Sequence, residues 1–287
     1  MKTKVLVTGA NGQLAKTIRE RYENNNETLD FKFVSKPELD ITNKTQLEVF
    51  FNTHHVDYCV NCAAYTAVDK AESDYEMAFS VNVIGSKNLA EACKVHHITL
   101  IHISTDFVFD GTSTLPYKET DVPNPLGVYG DTKLKGEQAI SNTLDTYFII
   151  RTAWLYSEYG HNFMKTMLRL AKDREQLQIV ADQIGTPTYA GDLSEAIIKL
   201  IISKNRNYGT YHYSNSGQIS WYDFAKAIFE LSHIKIDLKP IPTKAYPTPA
   251  MRPKYSVLDT TKIETVLGIS IPNWKESLRV ALSNCKK

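Results

Sequence analysis

Near the start of the chain an apolar strand runs into a glycine-bearing turn that opens a helix. Val5-Leu6-Val7 leads into Thr8-Gly9-Ala10-Asn11-Gly12-Gln13-Leu14-Ala15. A pyrophosphate needs backbone N–H groups at a helix N-terminus and no side chains in its way. Gly9 and Gly12 supply that close approach, and Ala15, the third small position, lets helix and strand pack tightly. A glycine motif alone is a weak signal, because an ordinary strand-to-helix turn looks the same. Its place at the head of a βαβ unit makes dinucleotide binding the better reading.

Downstream, strands keep alternating with helices. After a helix over residues 13–22, strands are expected at 31–34, 57–61 and 99–103, and 148–151 continues the series. Helices fall between them at 45–52, capped by Thr42 or Asn43, and over 75–96 as one or two pieces. This alternation predicts an α/β fold: a Rossmann-type, doubly wound parallel sheet with helices on both faces. From about residue 157, proline and tyrosine become frequent and turn signals close together, as in Gly185-Thr186-Pro187 and Tyr246-Pro247-Thr248-Pro249. These features predict a smaller, irregular α/β C-terminal lobe that shapes a pocket. The expected boundary is interleaved: residues 1–156 with about 190–215 form the nucleotide-binding part, and 157–189 with 216–287 form the substrate lobe.

Composition narrows the partners. A formal net charge of +1, with no basic tail, argues against nucleic acid. No leader pattern precedes the first strand and no apolar run spans a bilayer, so a cytoplasmic protein is expected. Cys59 and Cys62 form a C-x-x-C beside the third strand. A redox pair sits at a helix N-terminus and a zinc site needs a second ligand pair. Neither is visible, so both read as small core residues. His54-His55 and His96-His97 read as helix-end residues.

The second chemical pattern is Tyr129-Gly130-Asp131-Thr132-Lys133. On a helix, residues four apart share one face. Tyrosine is a poor acid at neutral pH, and a nearby ammonium stabilises its phenolate. Such a pair can protonate a carbonyl oxygen as hydride arrives. The spacing is common by chance, but it comes after Ser104-Thr105 just past the fourth strand, and ligands in open α/β sheets sit at the carboxyl ends of strands. Either hydroxyl could bond a substrate carbonyl there.

Together these three elements resemble the extended short-chain dehydrogenases. Within them, Asn61-Cys62-Ala63-Ala64-Tyr65-Thr66-Ala67-Val68-Asp69-Lys70-Ala71-Glu72 is similar to N-x-A-A-x-T-x-V-D-x-A-E. Ser104-Thr105-Asp106-Phe107-Val108-Phe109 is similar to S-T-D-Y-V-F, and Arg151-Thr152-Ala153-Trp154-Leu155-Tyr156 to R-T-S-W-x-Y. Asn162-Phe163, the stretch from Asp182 to Thr188, and Arg252-Pro253 also match. This is the pattern of the dTDP-4-dehydrorhamnose reductases, and it covers essentially the whole chain.

The resemblance implies NAD(P)H-dependent reduction of the C4 ketone of dTDP-4-dehydro-β-L-rhamnose to dTDP-L-rhamnose. It implies that Thr105, Tyr129 and Lys133 are catalytic. Gly9, Asn11, Gly12, Gln13 and Leu14 would hold the pyrophosphate, Asp40 and Ile41 would flank the adenine, and Ala63, Ala64 and Tyr65 would line the middle of the cofactor. Lys133 would also bind the nicotinamide ribose. Val68, Asp106, Phe107 and Trp154 would touch the sugar. Arg252 suits the substrate's diphosphate, since a guanidinium pairs with it bidentately. Asn82 reads equally as a structural amide or a catalytic one. Asp69, Lys70 and Glu72 read as a solvated charge cluster.

Other functions share such a scaffold. A 4,6-dehydratase carries a second acid after Thr-Asp, and here Phe107 stands in that place. An epimerase, a 6-deoxy-talose-forming reductase and a non-catalytic NADP-binding regulatory subunit remain alternatives; retention of Thr105, Tyr129 and Lys133 argues against the last. NADPH is the expected cofactor, with NADH usable, because the second strand ends in Ser35-Lys36 with no carboxylate at that spot. Some relatives hold magnesium between subunits through carboxylates, but Thr17 and Gly191 stand at the matching positions. No metal is expected, and the chain is expected to be a monomer or a homodimer.

Overall fold

The computed structural model describes residues 2–285. In chain order the first part runs β1 (Thr3–Thr8), α1 (Gln13–Tyr22), β2 (Leu29–Val34), α2 (Lys44–Thr53), β3 (Tyr58–Asn61), α3 (Val68–Ala71), α4 (Tyr75–Phe79), α5 (Ser86–Val95), β4 (Thr99–Thr105), α6 (Val128–Ser141) and β5 (Tyr147–Thr152). The second part runs β6 (Leu155–Tyr156), α7 (Phe163–Leu170), β7 (Gln176–Val180), β8 (Ile184–Gly185), β9 (Thr188–Tyr189), α8 (Ala190–Ser203), β10 (Gly209–His212), β11 (Ile219–Ser220), α9 (Trp221–Leu231), β12 (Asp237–Ile241), α10 (Thr261–Leu267) and α11 (Trp274–Asn284).

Six strands form one sheet in the order β10-β5-β4-β3-β1-β2, every pair parallel. Its central strands are largely apolar because both faces are covered, while the edge strand β2 exposes Asp30 and Lys32. Alternating side chains of a strand enter opposite cores. Val5 and Val7 pack with α1 and α8 through Leu14, Ile18, Leu193 and Ile197. Leu6, between them, packs with α2 and α5 through Leu47, Phe51 and Leu89. The doubly wound fold expected from the alternation is the one observed. Asn43 caps α2, accepting from the backbone N–H of Gln46.

A third core lies outside the sheet. Met164 and Met167 of α7, Phe224 and Ile228 of α9 and Leu278 of α11 pack with Leu177 of β7. Around it the sheets are small: β7 pairs with β12, β8 with β11, and β6 with β9. β10 belongs to the large sheet, paired with β5.

Two local departures from the expected elements bear on the cleft. β4 runs on through Ser104 and Thr105, which pair with Arg151 and Thr152, so these residues end the strand rather than lie past it. Between α4 and α5 the helix widens into a π-helical stretch, Ser80–Gly85. Asn82 sits in it and clamps the backbone of Tyr65, accepting from its N–H at 2.9 Å and donating to its carbonyl at 3.2 Å, while also donating to Thr132 Oγ1. Asn82 is a structural amide. Cys59 and Cys62 face different cores and are both free, so the C-x-x-C is not a dithiol pair.

Candidate active site

The strand order reverses at β1, whose neighbours are β2 on one side and β3 on the other. Gly9 sits at that switch point with φ +65°. A Cβ there would lie 2.7 Å from Ala63 N and 2.8 Å from the carbonyl carbon of Cys62, so only glycine fits. Gly12 is the N-cap of α1 and offers no side-chain cap. The first N–H groups of α1 therefore face the open crevice without a side-chain partner, which suits a pyrophosphate.

One cleft of about 840 Å³ opens from this turn. That is within the range of small-molecule sites. All the residues expected to be catalytic, cofactor-binding or substrate-binding line it: Gly9, Asn11, Gly12, Gln13, Leu14, Asp40, Ile41, Ala63, Ala64, Tyr65, Val68, Thr105, Asp106, Phe107, Tyr129, Lys133, Trp154 and Arg252.

Helix α6 carries Tyr129 and Lys133 into the cleft, and two glycines set its position. A Cβ on Gly130 would meet Phe107 O at 2.1 Å, and one on Gly136 would meet Asn82 O at 2.2 Å. The Tyr129 ring packs edge-on against Phe107, centroids 5.6 Å apart. Burial pushes its phenol up to about 12, with the neighbouring Thr105 hydroxyl working the other way. Thr105 Oγ1 donates its one proton to Asp106 Oδ1 at 3.1 Å and accepts from Phe107 N.

Lys133 is buried, and burial pulls it down to about 8. Its Nζ donates to Ile103 O at 2.7 Å and lies 3.1 Å from His102 Nε2. The cation expected to ease Tyr129 is thus turned into the sheet, and no cation counteracts the burial of the phenol. At the other side of the reaction centre, Asp106 Oδ2 and Thr152 Oγ1 are buried in the cleft wall without a hydrogen-bond partner. Burial raises Asp106 to about 6.

Several expectations change. Ser104 does not offer its hydroxyl to the cleft: it donates to Glu137, which Arg151 holds in a buried bidentate pair. Gln13 spends its side chain on Leu155 O, Ser157 and Asn162, which leaves its backbone N–H for a phosphate. The end of β2 carries no carboxylate, as expected, but one stands four residues past it. Pro37 turns the chain so that Glu38 accepts from both the N–H and the hydroxyl of Ser35. Arg252 is not a free cation. Its two terminal nitrogens pair with the two carboxylate oxygens of Asp69 at 2.9 and 2.8 Å, and it also donates to Thr248 and Ala250. Asp69 accordingly leaves the solvated cluster and fastens the 248–252 loop over Val68.

The family model described as the RmlD substrate binding domain matches residues 3–287. The chain belongs to that family. Over 290 residues this RmlD-family chain is 43% identical to the dTDP-4-dehydrorhamnose reductase of Aggregatibacter actinomycetemcomitans, covering 96% of this chain and 97% of that protein. A crystal structure of a dTDP-4-dehydrorhamnose reductase from Clostridium acetobutylicum superposes with a TM-score of 0.95 at 43% identity, covering 99% of this chain and all of that one. The Bacillus anthracis dTDP-4-dehydrorhamnose reductase in complex with NADP matches with the same TM-score at 42% identity and the same coverage.

One prominent residue of the RmlD-family cleft escaped the sequence. Trp221, first residue of α9, stacks on Trp154 with centroids 3.5 Å apart. Trp154 adopts φ +46°, and a Cβ on Gly185 would strike its indole at 2.6 Å. The tight seat on Gly185 and the stack on Trp221 hold this uncommon backbone conformation. Only the capped helix start at Ser220 marks Trp221 in the sequence, and nothing there tells of a distant indole partner.

Proposed function

We propose that this chain reduces the C4 ketone of dTDP-4-dehydro-β-L-rhamnose to dTDP-L-rhamnose, using NADPH and accepting NADH. The observation that carries the reading is one cleft with two chemically distinct ends. At one end α1 presents uncapped N–H groups beside Gly9. At the other, Thr105 and Tyr129 lie beside two unpartnered buried groups, Asp106 Oδ2 and Thr152 Oγ1, with Lys133 one helical turn on and bonded to the sheet. Family membership over nearly the whole chain supports the same reading.

A bound nicotinamide supplies hydride equivalents at the ketone carbon. The chain's own residues handle the oxygen and the proton. Tyr129 and Thr105 are placed to donate to the keto oxygen. A phenol near 12 keeps its proton at neutral pH, yet it is a far stronger acid than the alcohol formed, so transfer is downhill. Lys133, once turned from the sheet towards the cleft, offsets the charge left on Tyr129. Asp106 Oδ2 accepts from a sugar hydroxyl, and the Trp154–Trp221 pair forms an apolar wall. Arg252 reaches a diphosphate only by sharing itself with Asp69. Ser35 and Lys36 line the adenosine end; Lys36 suits a 2′-phosphate, whereas Ser35 gives its donors to Glu38, which does not line the cleft.

The enzyme acts in the cytoplasm, where nucleotide sugars and reduced cofactor meet, as a monomer or a metal-free homodimer. No helix among the described residues is long and apolar enough to cross a membrane. At the positions where some relatives place magnesium ligands, Thr17 is buried and Arg21 donates to the carbonyl of Gly191. A Cβ on Gly191 would strike that guanidinium at 2.3 Å. A cation already occupies this corner, and a second would be repelled. The test is NADPH oxidation dependent on dTDP-4-dehydrorhamnose, measured before and after exhaustive EDTA treatment. Undiminished turnover is expected. Chelation loss that magnesium restores would overturn the metal-free reading, and no oxidation at all would overturn the function.

A further inference from the structure

A buried polar chain connects the glycine turn to the catalytic lysine across three strands. Thr8, the last residue of β1, donates from its hydroxyl to Asn61 Oδ1 at 2.7 Å. Asn61, at the end of β3, lies with Nδ2 2.9 Å from His102 Nδ1 on β4. His102 Nε2 in turn lies 3.1 Å from Lys133 Nζ. Thr8, Asn61, His102 and Lys133 are all buried, so each mismatched proton in the chain is costly.

The direction of the protons is set by one backbone group. The N–H of Ala63 is shared between Asn61 Oδ1 at 3.2 Å and Thr8 Oγ1 at 3.3 Å, and an N–H can only donate, so an amide nitrogen in place of Oδ1 would face it donor to donor. That orients the Asn61 amide with its NH₂ towards His102, making Nδ1 an acceptor. The tautomer of a neutral imidazole is set by the bond its other nitrogen makes. The ring proton therefore sits on Nε2 and points at Lys133, whose Nζ already donates to Ile103 O. An ammonium there would set donor against donor.

We propose that His102 is a positioning residue that parks Lys133 as a neutral amine: His102 Nε2–H donates to Nζ, and Nζ takes a proton from solvent when it swings towards the cleft. His102 itself stays neutral, since burial carries it well below the usual histidine range. Burial also lowers Lys133 to about 8, the direction that favours the amine. The other titratable groups around Lys133 are Cys62, beyond β3, and Glu137 on its own helix; both favour the charged lysine against burial, and Glu137 is itself paired with Arg151. Because Thr8 adjoins Gly9, the chain links the pyrophosphate turn to the position of the lysine. The bearing of this device on turnover rests on the proposed ketone reduction; the tautomer does not.

Two measurements test it. In the ¹⁵N-labelled free protein at mildly alkaline pH, long-range ¹H–¹⁵N correlations report the tautomer of His102 directly. The Nε2–H form is expected, and the Nδ1–H form overturns the proposal. In Asn61→Asp a near-isosteric carboxylate accepts from Thr8, Ala63 and His102 Nδ1–H together. The ring proton then moves to Nδ1, Nε2 accepts from an ammonium, and Lys133 keeps its proton longer. The pH at which kcat/KM for NADPH falls should rise by about one unit or more. An unmoved limb in the folded variant, where only structure had been perturbed, overturns the proposal. An Nδ1–H tautomer in an active enzyme removes the role of His102 and leaves the function intact. An Nε2–H tautomer in a protein that never oxidises NADPH does the reverse.

Discussion

On the proposed function, Asp106 trades stability for binding. Its carboxyl is buried, one oxygen lacks a partner, and burial raises it to about 6. An acid held neutral in the fold but free to ionise in the unfolded chain costs stability as pH rises from about 4 through 6. Above that window the cost is fully present, on the order of 3 kcal/mol at most. Asp106→Asn should therefore melt higher than the parent at about pH 8 and no higher at about pH 4, while KM for the sugar nucleotide rises. Equal melting shifts at both pH values would count against ionisation as the cause. Tyr129→Phe should lower kcat by on the order of a hundredfold with cofactor affinity nearly unchanged, because the ring and its contact with Phe107 remain. Near-normal kcat would remove the phenol from the chemistry. Tyr129 and Lys133 were legible in the sequence because a fixed helical spacing carries them. The Asp69–Arg252 pair and the fold-back of Glu38 onto Ser35 were not, because each depends on how a proline-bearing loop closes.

At the scale of elements, α6 is aimed by close contacts rather than by hydrophobic bulk. Gly130 lies against the backbone of Phe107 and Gly136 against that of Asn82. Gly136→Ala would drive a methyl into a backbone carbonyl, which a side-chain rotation cannot relieve. We expect a loss of about 1–3 kcal/mol in urea unfolding, the range for overpacking. We also expect a fall in kcat, since Tyr129 and Lys133, the pair proposed to be catalytic, ride on the same helix. A variant with parental stability and kcat would show that α6 is not held this way. The bounds of α1 were readable from the glycine turn that opens it. The run of β4 through Thr105 was not, because its last two residues are held by pairing with Arg151 and Thr152 rather than by apolar character. The π-helical stretch was equally hidden: its register shift serves a bond from Asn82 to the distant backbone of Tyr65.

Over the whole molecule, the alternation of strands and helices revealed the doubly wound sheet because each strand must bury both faces, Val5 and Val7 on one side and Leu6 on the other. The small pairs β8–β11 and β6–β9 left weaker traces, since two-residue strands carry no readable period. What the fold achieves is a cleft joining an N–H-lined turn to a phenol, a lysine and a carboxylate with one unpartnered oxygen. The claim that this cleft carries out a ketone reduction is tested most directly with NADPH deuterated at nicotinamide C4 on the transferred face. The purified protein is incubated with dTDP-4-dehydro-β-L-rhamnose and the product is examined by NMR and mass spectrometry. The account predicts dTDP-L-rhamnose carrying one deuterium at sugar C4, formed in step with cofactor oxidation. Recovery of unchanged or merely epimerised substrate with no deuterium at C4 would contradict it.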